Sequence, residues 1–442
     1  MAARPPTWNV FEGLTAGAAT VVIIVAAGLI AGRMDVVLLA LPLVAAVVLQ
    51  WERRPDPAAT TEARVTLEEL SQTGDAAEVS YVISIDSPLG TEAVVLRYSL
   101  LGGEPHELVL TALAARELPG RVALLHSGPQ ELLRLDYRLL CTDAAIFSLP
   151  LPEIVVDRVI SPQQVPIRSL PLPRRLQALT GSHESARAGD GGDFRDIHLF
   201  NPGDRLRRID WKATARRSQP AGDLYVRRTS ALADATVLIV MDSRDDVGEQ
   251  IADWSTNTAA LKGISSLDIA REAASSLAQA YIRAGDRVGF QDLSSRSRMI
   301  PHAGGRRHLW RLQRAIAITE PSAVPFRHQR APIVPPGALV YVLSSFLDDQ
   351  APSLALVWRG AGHRVIAVDV LASARFARTT RYMRLAHRIV MMEREDRIRR
   401  LQSGGVEILA WQTRGAALSR QARLQLLSRP PRRGGRPEGT RQ

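Results

Sequence analysis

ATVLIVMD, residues 235–242, is the stretch on which the fold turns. Apart from Thr236 it is apolar throughout, and it stops on a carboxylate. A strand with one wet face alternates apolar and polar residues, so a continuous run marks a strand buried on both faces. Downstream, SSLDIAREAASSLAQAYIRAGD (265–286) sets Ile269, Ala273, Leu277 and Tyr281 at the spacing of one helix face. Further strands are read at DRVGFQDL, SRMIP, ALVYVLSSF, HRVIAVDVL and GVEILAWQ. Helices are read between them at RRHLWRLQRAIAI, PSLALVWRGAG and RYMRLAHRIVMMEREDRIRRL. Strands alternating with helices imply a doubly wound α/β domain over residues 234–413. In such sheets ligands bind beyond the C-terminal strand ends. DSRDD, residues 242–246, is therefore the first place to seek a site.

Upstream the texture differs. Residues 60–160 carry short alternating runs such as AAEVSYVISID and EAVVLRYSL, separated by turns at Ser87-Pro88 and Gly102-Gly103. They predict a small antiparallel β-sandwich. Residues 161–233 read as a connector: Pro-rich over 161–173, then a Gly-rich loop over 182–196. At the N-terminus two uncharged runs, Gly13 to Gly32 and Val36 to Trp51, flank Arg33-Met34-Asp35. They predict a transmembrane helical hairpin over residues 1–54, with Trp8, Phe11 and Trp51 as interfacial anchors. Arg4, Arg53 and Arg54 outside the runs place both ends, and the soluble domains, in the cytoplasm. A cleaved signal peptide and a buried hairpin are the competing readings.

The chain has 442 residues and a net charge of +11, unevenly spread. Glu52 to Asp157 holds 17 acidic and 8 basic residues, a net of −9, so the rest carries +20. Only Lys212 and Lys262 are lysines; the other 54 of the 56 basic residues are arginine, a bias that looks genomic. The tail, 414–442, sets after Gly415 the arginines Arg420, Arg423, Arg429, Arg432, Arg433, Arg436 and Arg441 against Glu438. Its end, RPPRRGGRPEGTRQ, is expected to be disordered, and its charge suits anionic headgroups. Cys141 is the single cysteine, which excludes an internal disulfide and a cysteine-based zinc site.

Enzyme motifs are missing. There is no Gly-x-x-x-x-Gly-Lys-Ser/Thr phosphate cradle, no Gly-x-Gly-x-x-Gly after a strand and no Gly-x-Ser-x-Gly elbow. The nine histidines are scattered. PHAGGRRH, 301–308, reads as a strand-to-helix turn rather than an anion loop. No catalytic residue and no cofactor is assigned, and ATP hydrolysis is not expected.

NPGDRLRRIDWKATARR, residues 201–217, sets a tryptophan among two acidic and six basic residues. Gly203, Asp204, Arg207, Ile209, Asp210, Trp211, Ala215 and Arg216 fit the pattern Gly-Asp-x-x-Arg-x-Ile-Asp-Trp-x-x-x-Ala-Arg. This resembles the hallmark of the bacterial family called domain of unknown function fifty-eight, and AGDRVGF, 284–290, resembles the same family. The resemblance implies a von Willebrand factor A-like C-terminal domain and a membrane anchor. It also implies an adaptor working with a MoxR-type AAA+ ATPase in the assembly or maturation of membrane or envelope complexes, on an unknown client protein.

A-like domains often hold Mg²⁺ on an Asp-x-Ser-x-Ser motif after the first strand. Mapped here, Asp242 keeps the first position, Arg244 and Asp246 replace the two serines, and Ser345 stands where a distal strand end is expected. A guanidinium accepts no coordinate bond, so this degenerate site is expected to be metal-free, with Arg244 pairing Asp242 or Asp246 in the ion's place. The alternative is a carboxylate cluster of Asp245, Asp246, Asp348 and Asp349 holding Mg²⁺.

In the hallmark, Asp204 is positioned to cap a short helix and to pair Arg207 or Arg208, with Leu206 and Ile209 on one face. Asp210 can pair Arg207 or Arg216, and Trp211 offers a ring for a guanidinium. Two readings stay open: an internal clamp, or a docking surface anchored on Trp and Arg. Competing functions are an envelope scaffold without an ATPase, and a binder of nucleic acid or anionic lipid. Against nucleic acid, no aromatics interleave the basic runs.

Overall fold

The structure, a computed structural model, describes all residues except 1–5, 53–55, 57–58, 74–75, 142–145, 174–182, 203, 218–222, 255–262, 295–298, 322–330, 412–416 and 429–442. Arg4, Arg53, Arg54, Gly203 and the end of the basic tail thus lie outside the described residues. The chain forms two compact units, residues 1–125 with 129–158, and residues 126–128 with 159–442.

The first unit opens with β1 (Trp8–Val10), α1 (Glu12–Ile30), α2 (Met34–Leu39) and α3 (Leu41–Glu52). Strands follow: β2 (Glu62–Thr73), β3 (Ala76–Asp86), β4 (Thr91–Leu100), β5 (His106–Thr111), β6 (Leu118–Leu124), β7 (Gly128–Cys141), β8 (Ile146–Ser148) and β9 (Ile154–Ile160). They make two antiparallel sheets, β2–β3–β6 and β1–β8–β7–β4–β5, with β9 also on β7. Period-2 alternation sets the buried sides: Val79, Tyr81, Ile83 and Ile85 on β3, and Leu135, Tyr137, Leu139 and Cys141 on β7. The Thr61 and Tyr137 hydroxyls share a hydrogen bond of 3.2 Å in this interior. Burial pushes the Cys141 thiol up to about 11.

The expected fold is corrected at its N-terminus. Among the described residues no helix is long and apolar enough to cross a membrane, so the two-span hairpin and the placement built on it do not stand. The second apolar run is not one helix. It divides at Ala40 into six-residue α2 and twelve-residue α3, about 9 and 18 Å long against a hydrocarbon core of about 30 Å. Pro42 explains the break, because it has no N–H for the carbonyl of Leu38 and is tolerated only in a first turn. α1 begins on Glu12 and ends at Ile30, before Gly32 at φ 66°. Trp8 is not a free interfacial anchor either; it pairs with Ser148 in a sheet.

The second unit contains β10 (His183–Leu199), α4 (Trp211–Arg217), β11 (Tyr225–Ala233), β12 (Thr236–Met241), α5 (Ser266–Arg283), β13 (Arg287–Asp292), β14 (Met299–Ala303) and α6 (Arg306–Ala317). It continues through β15 (Leu339–Ser344), α7 (Gln350–Gly360), β16 (Arg364–Asp369), α8 (Arg381–Ser403), β17 (Glu407–Ala410) and α9 (Ala417–Ser428). Its main sheet has the order β14–β13–β12–β15–β16–β17, parallel except at the β14 edge. β12 lies in the middle, which is why ATVLIVMD alternates between two interiors rather than between core and water. Val237, Ile239 and Met241 face a core with α5, α6 and α9, including Leu277, Leu312 and Leu424. Leu238 and Val240 face a second core with α7 and α8, including Leu354, Trp358 and Leu401.

The Pro-rich segment 161–173 is a strap along the first of these cores. Ile167, Leu170 and Leu172 pack on it. The Val165 amide donates to Ser276 Oγ at 2.9 Å, and the Tyr281 hydroxyl donates to the Pro171 carbonyl. The Gly-rich stretch expected as a loop is instead β10, antiparallel to β11. Three register shifts between Glu184 and Asp196 absorb the extra residues, as bulges do.

Candidate docking surface and the strand-end cluster

Four strands of the second unit end in polar groups along one edge of the sheet. β12 runs into Asp242, β13 ends on Asp292, β15 on Ser344 and β16 on Asp369. The parallel register sets Met241 beside Asp292 and Ser344 beside Asp369. Ser344 Oγ donates to Asp242 Oδ2 at 2.7 Å, and Ser243 Oγ donates to Asp292.

Arg244 closes this edge. Its Nε and Nη2 donate to the two oxygens of Asp242, each at 2.8 Å. Its Nη2 and Nη1 donate to the two oxygens of Asp348, and Nη1 also reaches Gln350 Oε1. A guanidinium has five N–H donors, so all five are engaged. The side chains of Arg244 and Asp242 are 4% and 6% exposed. Burial works against the charged arginine, but Asp242 and Asp348 outweigh it and raise its pKa. Chemically the cluster is a bidentate carboxylate–guanidinium–carboxylate clamp, with the cation supplied by the chain itself.

The other residues of the expected metal set are dispersed. Asp246 Oδ1 accepts from the Leu267 amide at 3.0 Å and from Ser266 Oγ, at the start of α5. Ser345 contributes its carbonyl, which accepts from Arg394 Nε at 2.8 Å. Asp349 pairs with Arg397 at 2.9 Å. The alternative cluster of Asp245, Asp246, Asp348 and Asp349 is thus drawn toward α5, α8 and Arg244, and no group of three metal-type ligands occurs among the described residues. PHAGGRRH spans the turn from the end of β14 into α6: Gly305, at φ 89°, precedes the helix, and His308 Nε2 bonds the Val288 carbonyl at 2.7 Å.

A second polar cluster, unseen in the sequence, lies at the start of α5. Ser265 and Asp268 form a reciprocal capping box. The Asp268 carboxylate also meets His126 Nδ1 at 2.6 Å and accepts from the Ser127 amide at 2.7 Å. Arg271 donates to the carbonyls of Ser127 and Thr319. Gly128 makes room for it: at φ 97°, a Cβ there would lie 2.5 Å from the guanidinium carbon. The S-x-x-D spacing could have disclosed the box, but not the partner.

Burial alone would raise the Asp268 carboxyl; His126 and the amides of Ser265 and Ser127 outweigh it and hold the group below its ordinary value. A carboxylate with a depressed folded pKa stabilises the fold above its unfolded pKa, and that contribution is lost as pH falls through the folded value. Asp268→Asn is therefore expected to lose about 1–3 kcal/mol at pH 7, with the gap to wild type shrinking below about pH 4. Urea unfolding across a pH series reads this out.

The hallmark folds as a small motif on β11. The Asp204 amide donates to the Asn201 carbonyl at 3.0 Å, and its carboxylate accepts from the Asn201 amide at 2.9 Å. Asp204 therefore closes the turn rather than capping a helix. The cap is Asp210, whose Oδ1 accepts from the Ala213 amide at 2.9 Å. Its backbone amide donates to the Tyr225 carbonyl at 2.8 Å, and the Tyr225 amide donates to Thr214 Oγ1 at 3.0 Å. Both ends of this contact bolt α4 to β11. Asp210→Ala removes the cap and is expected to cost about 1 kcal/mol in denaturant unfolding.

Leu206 and Ile209 do not share a face. Ile209 bridges Val226, while Leu206 is exposed in a short 3-10 turn. Ala213 is buried beneath α4. Trp211 points the other way and is 68% exposed. Arg207, Lys212, Ala215 and Arg216 are exposed with it. Asp210 and Trp211, adjacent in sequence, thus have opposite roles: one fastens α4 and the other is presented to solvent.

No curated protein matches the chain. Residues 196–375, from the end of β10 through the hallmark and the strand-end cluster to the approach to α8, match the family model described as "Protein of unknown function DUF58".

Proposed function

We propose that this chain is a protein-interaction adaptor that docks a MoxR-type AAA+ ATPase through the outward face of α4. The exposure of Trp211 carries this reading. A tryptophan serving only as an internal clamp would be covered, and here 68% of it lies in solvent on a helix fastened by Asp210 and Thr214. Exposed tryptophan beside arginine is the residue pairing that dominates protein interfaces, and a rigid base reduces the entropy lost on binding. Lys212 and Arg216 flank the ring at helical spacing and suit an acidic partner surface. The polar clamp at Arg244 belongs to the scaffold in this account, and no chemical step is assigned to it.

A photocrosslinking amino acid at position 212, followed by mass spectrometry of the adducts, tests the reading in cells. The expected adduct is a AAA+ ATPase, formed from position 212 and not from position 311 on α6. Absence of any ATPase adduct at 212 counts against the docking role.

A further inference from the structure

Helix α8 carries two opposite faces. Toward the sheet it sets His387, Arg394 and Leu401 seven residues apart. His387 lies between Trp254 and Phe376, each with centroids 5.3 Å away. Arg394 bonds the Asp369 carboxylate and the Ser345 carbonyl. Leu401 is fully buried and joins the core beside α7. Toward solvent the same helix presents Tyr382, Leu385, Ile389 and Met392, which are 83%, 56%, 52% and 59% exposed. At 100° per residue these four form one stripe on the face opposite Arg394. A surface helix ordinarily has one apolar stripe and covers it.

The charge beside the stripe identifies what covers it. Arg381, Arg384 and Arg388 border it, with no acidic residue between 381 and 392. These three make no ion pair among the described residues. A second copy of α8 is disfavoured: an antiparallel twofold pair burying the stripe sets the flank of one helix that carries Arg381, Arg384 and Arg388 beside the same flank of the other. The chain's own tail is also unsuited, since residues 429–442 carry five arginines against Glu438. We propose that the outward face of α8 docks an acidic amphipathic helix of a partner protein, its apolar residues on Leu385 and Ile389 and its carboxylates on Arg381, Arg384 and Arg388. This surface is separate from α4.

The probe is a fluorescein-labelled synthetic helix with leucines at i, i+3 and i+7 and flanking glutamates, paired with a control in which lysines replace the glutamates. Anisotropy titration uses the full chain. The acidic peptide is expected to bind saturably and at least about tenfold more tightly than the control. Ile389→Asp is expected to weaken it about tenfold or more. Arg384→Glu with Arg388→Glu is expected to reverse the preference, and Trp211→Ala to leave binding unchanged. All these positions are exposed, so an unchanged unfolding midpoint verifies the fold of each variant. Equal binding of both peptides, or indifference to the α8 substitutions, overturns the proposal. Concentration-dependent dimerisation abolished by Ile389→Asp also overturns it, in favour of a second copy.

Discussion

Arg244→Ala is expected to lose about 3–5 kcal/mol of folding stability, because removing one partner of a buried ion pair strands the other. Here two carboxylates are stranded. Asp242 is almost fully buried and, among the described residues, keeps only Ser344 Oγ and the residue 244 amide at its oxygens. Asp348 is a third exposed and can hydrate in part, so most of the loss belongs to Asp242. Arg244→Lys should not restore the loss, because an ammonium cannot repeat two bidentate contacts. Guanidinium chloride unfolding measures the difference. The same clamp predicts that calorimetry with Mg²⁺, Mn²⁺ and Ca²⁺ shows no saturable binding to the wild-type chain. Saturable binding abolished by Asp242→Ala would mean that a cation, not Arg244, is the resident charge.

The second large effect lies in the core on the α5 side of the sheet. Trp411 follows β17, is fully buried and packs in the core with α5 and α9. Its Nε1 donates to Glu272 Oε1 at 3.0 Å, and the Arg420 guanidinium sits 4.7 Å from its ring centroid. Burial raises the Glu272 carboxyl, and the Trp411 hydrogen bond and Arg420 oppose that shift. Trp411→Ala removes a large core side chain and is expected to cost about 3–5 kcal/mol. Trp411→Phe keeps most of the volume and loses the hydrogen bond, with an expected cost of about 1–3 kcal/mol. If the alanine variant loses no more than the phenylalanine variant, the packing assigned to Trp411 is wrong.

What was legible in the sequence follows from how local each signal is. ATVLIVMD is readable because every apolar residue of this central strand meets one core or the other. The α5 helix is readable from its own apolar spacing, whereas its Ser265–Asp268 box comes from the structure. The N-terminal runs misled because uncharged length was weighed above Pro42, which breaks the second run into pieces too short to span. The stretch 182–196 looked like a loop because glycine propensity was weighed above pairing, and β11 supplies that pairing. At the strand ends the sequence offered Arg244 a partner in Asp242 or Asp246. The guanidinium takes Asp242 and then Asp348, which lies 104 positions further on. His126 reaches Asp268 across 142 positions, and no local pattern carries such a distance. The hallmark named its residues without their directions. That Asp210 fastens α4 while Trp211 faces solvent is set by β11, a separate strand.

The most direct measurement is the Kd of the full chain for a purified MoxR-type AAA+ ATPase, wild type against Trp211→Ala. An interface tryptophan removed from its pocket costs about 2 kcal/mol or more, roughly thirtyfold in Kd. The account predicts a loss of at least that size with an unchanged unfolding midpoint, since the exposed ring adds little to the fold. Equal Kd values for the two proteins, or no binding by the wild-type chain, would contradict it.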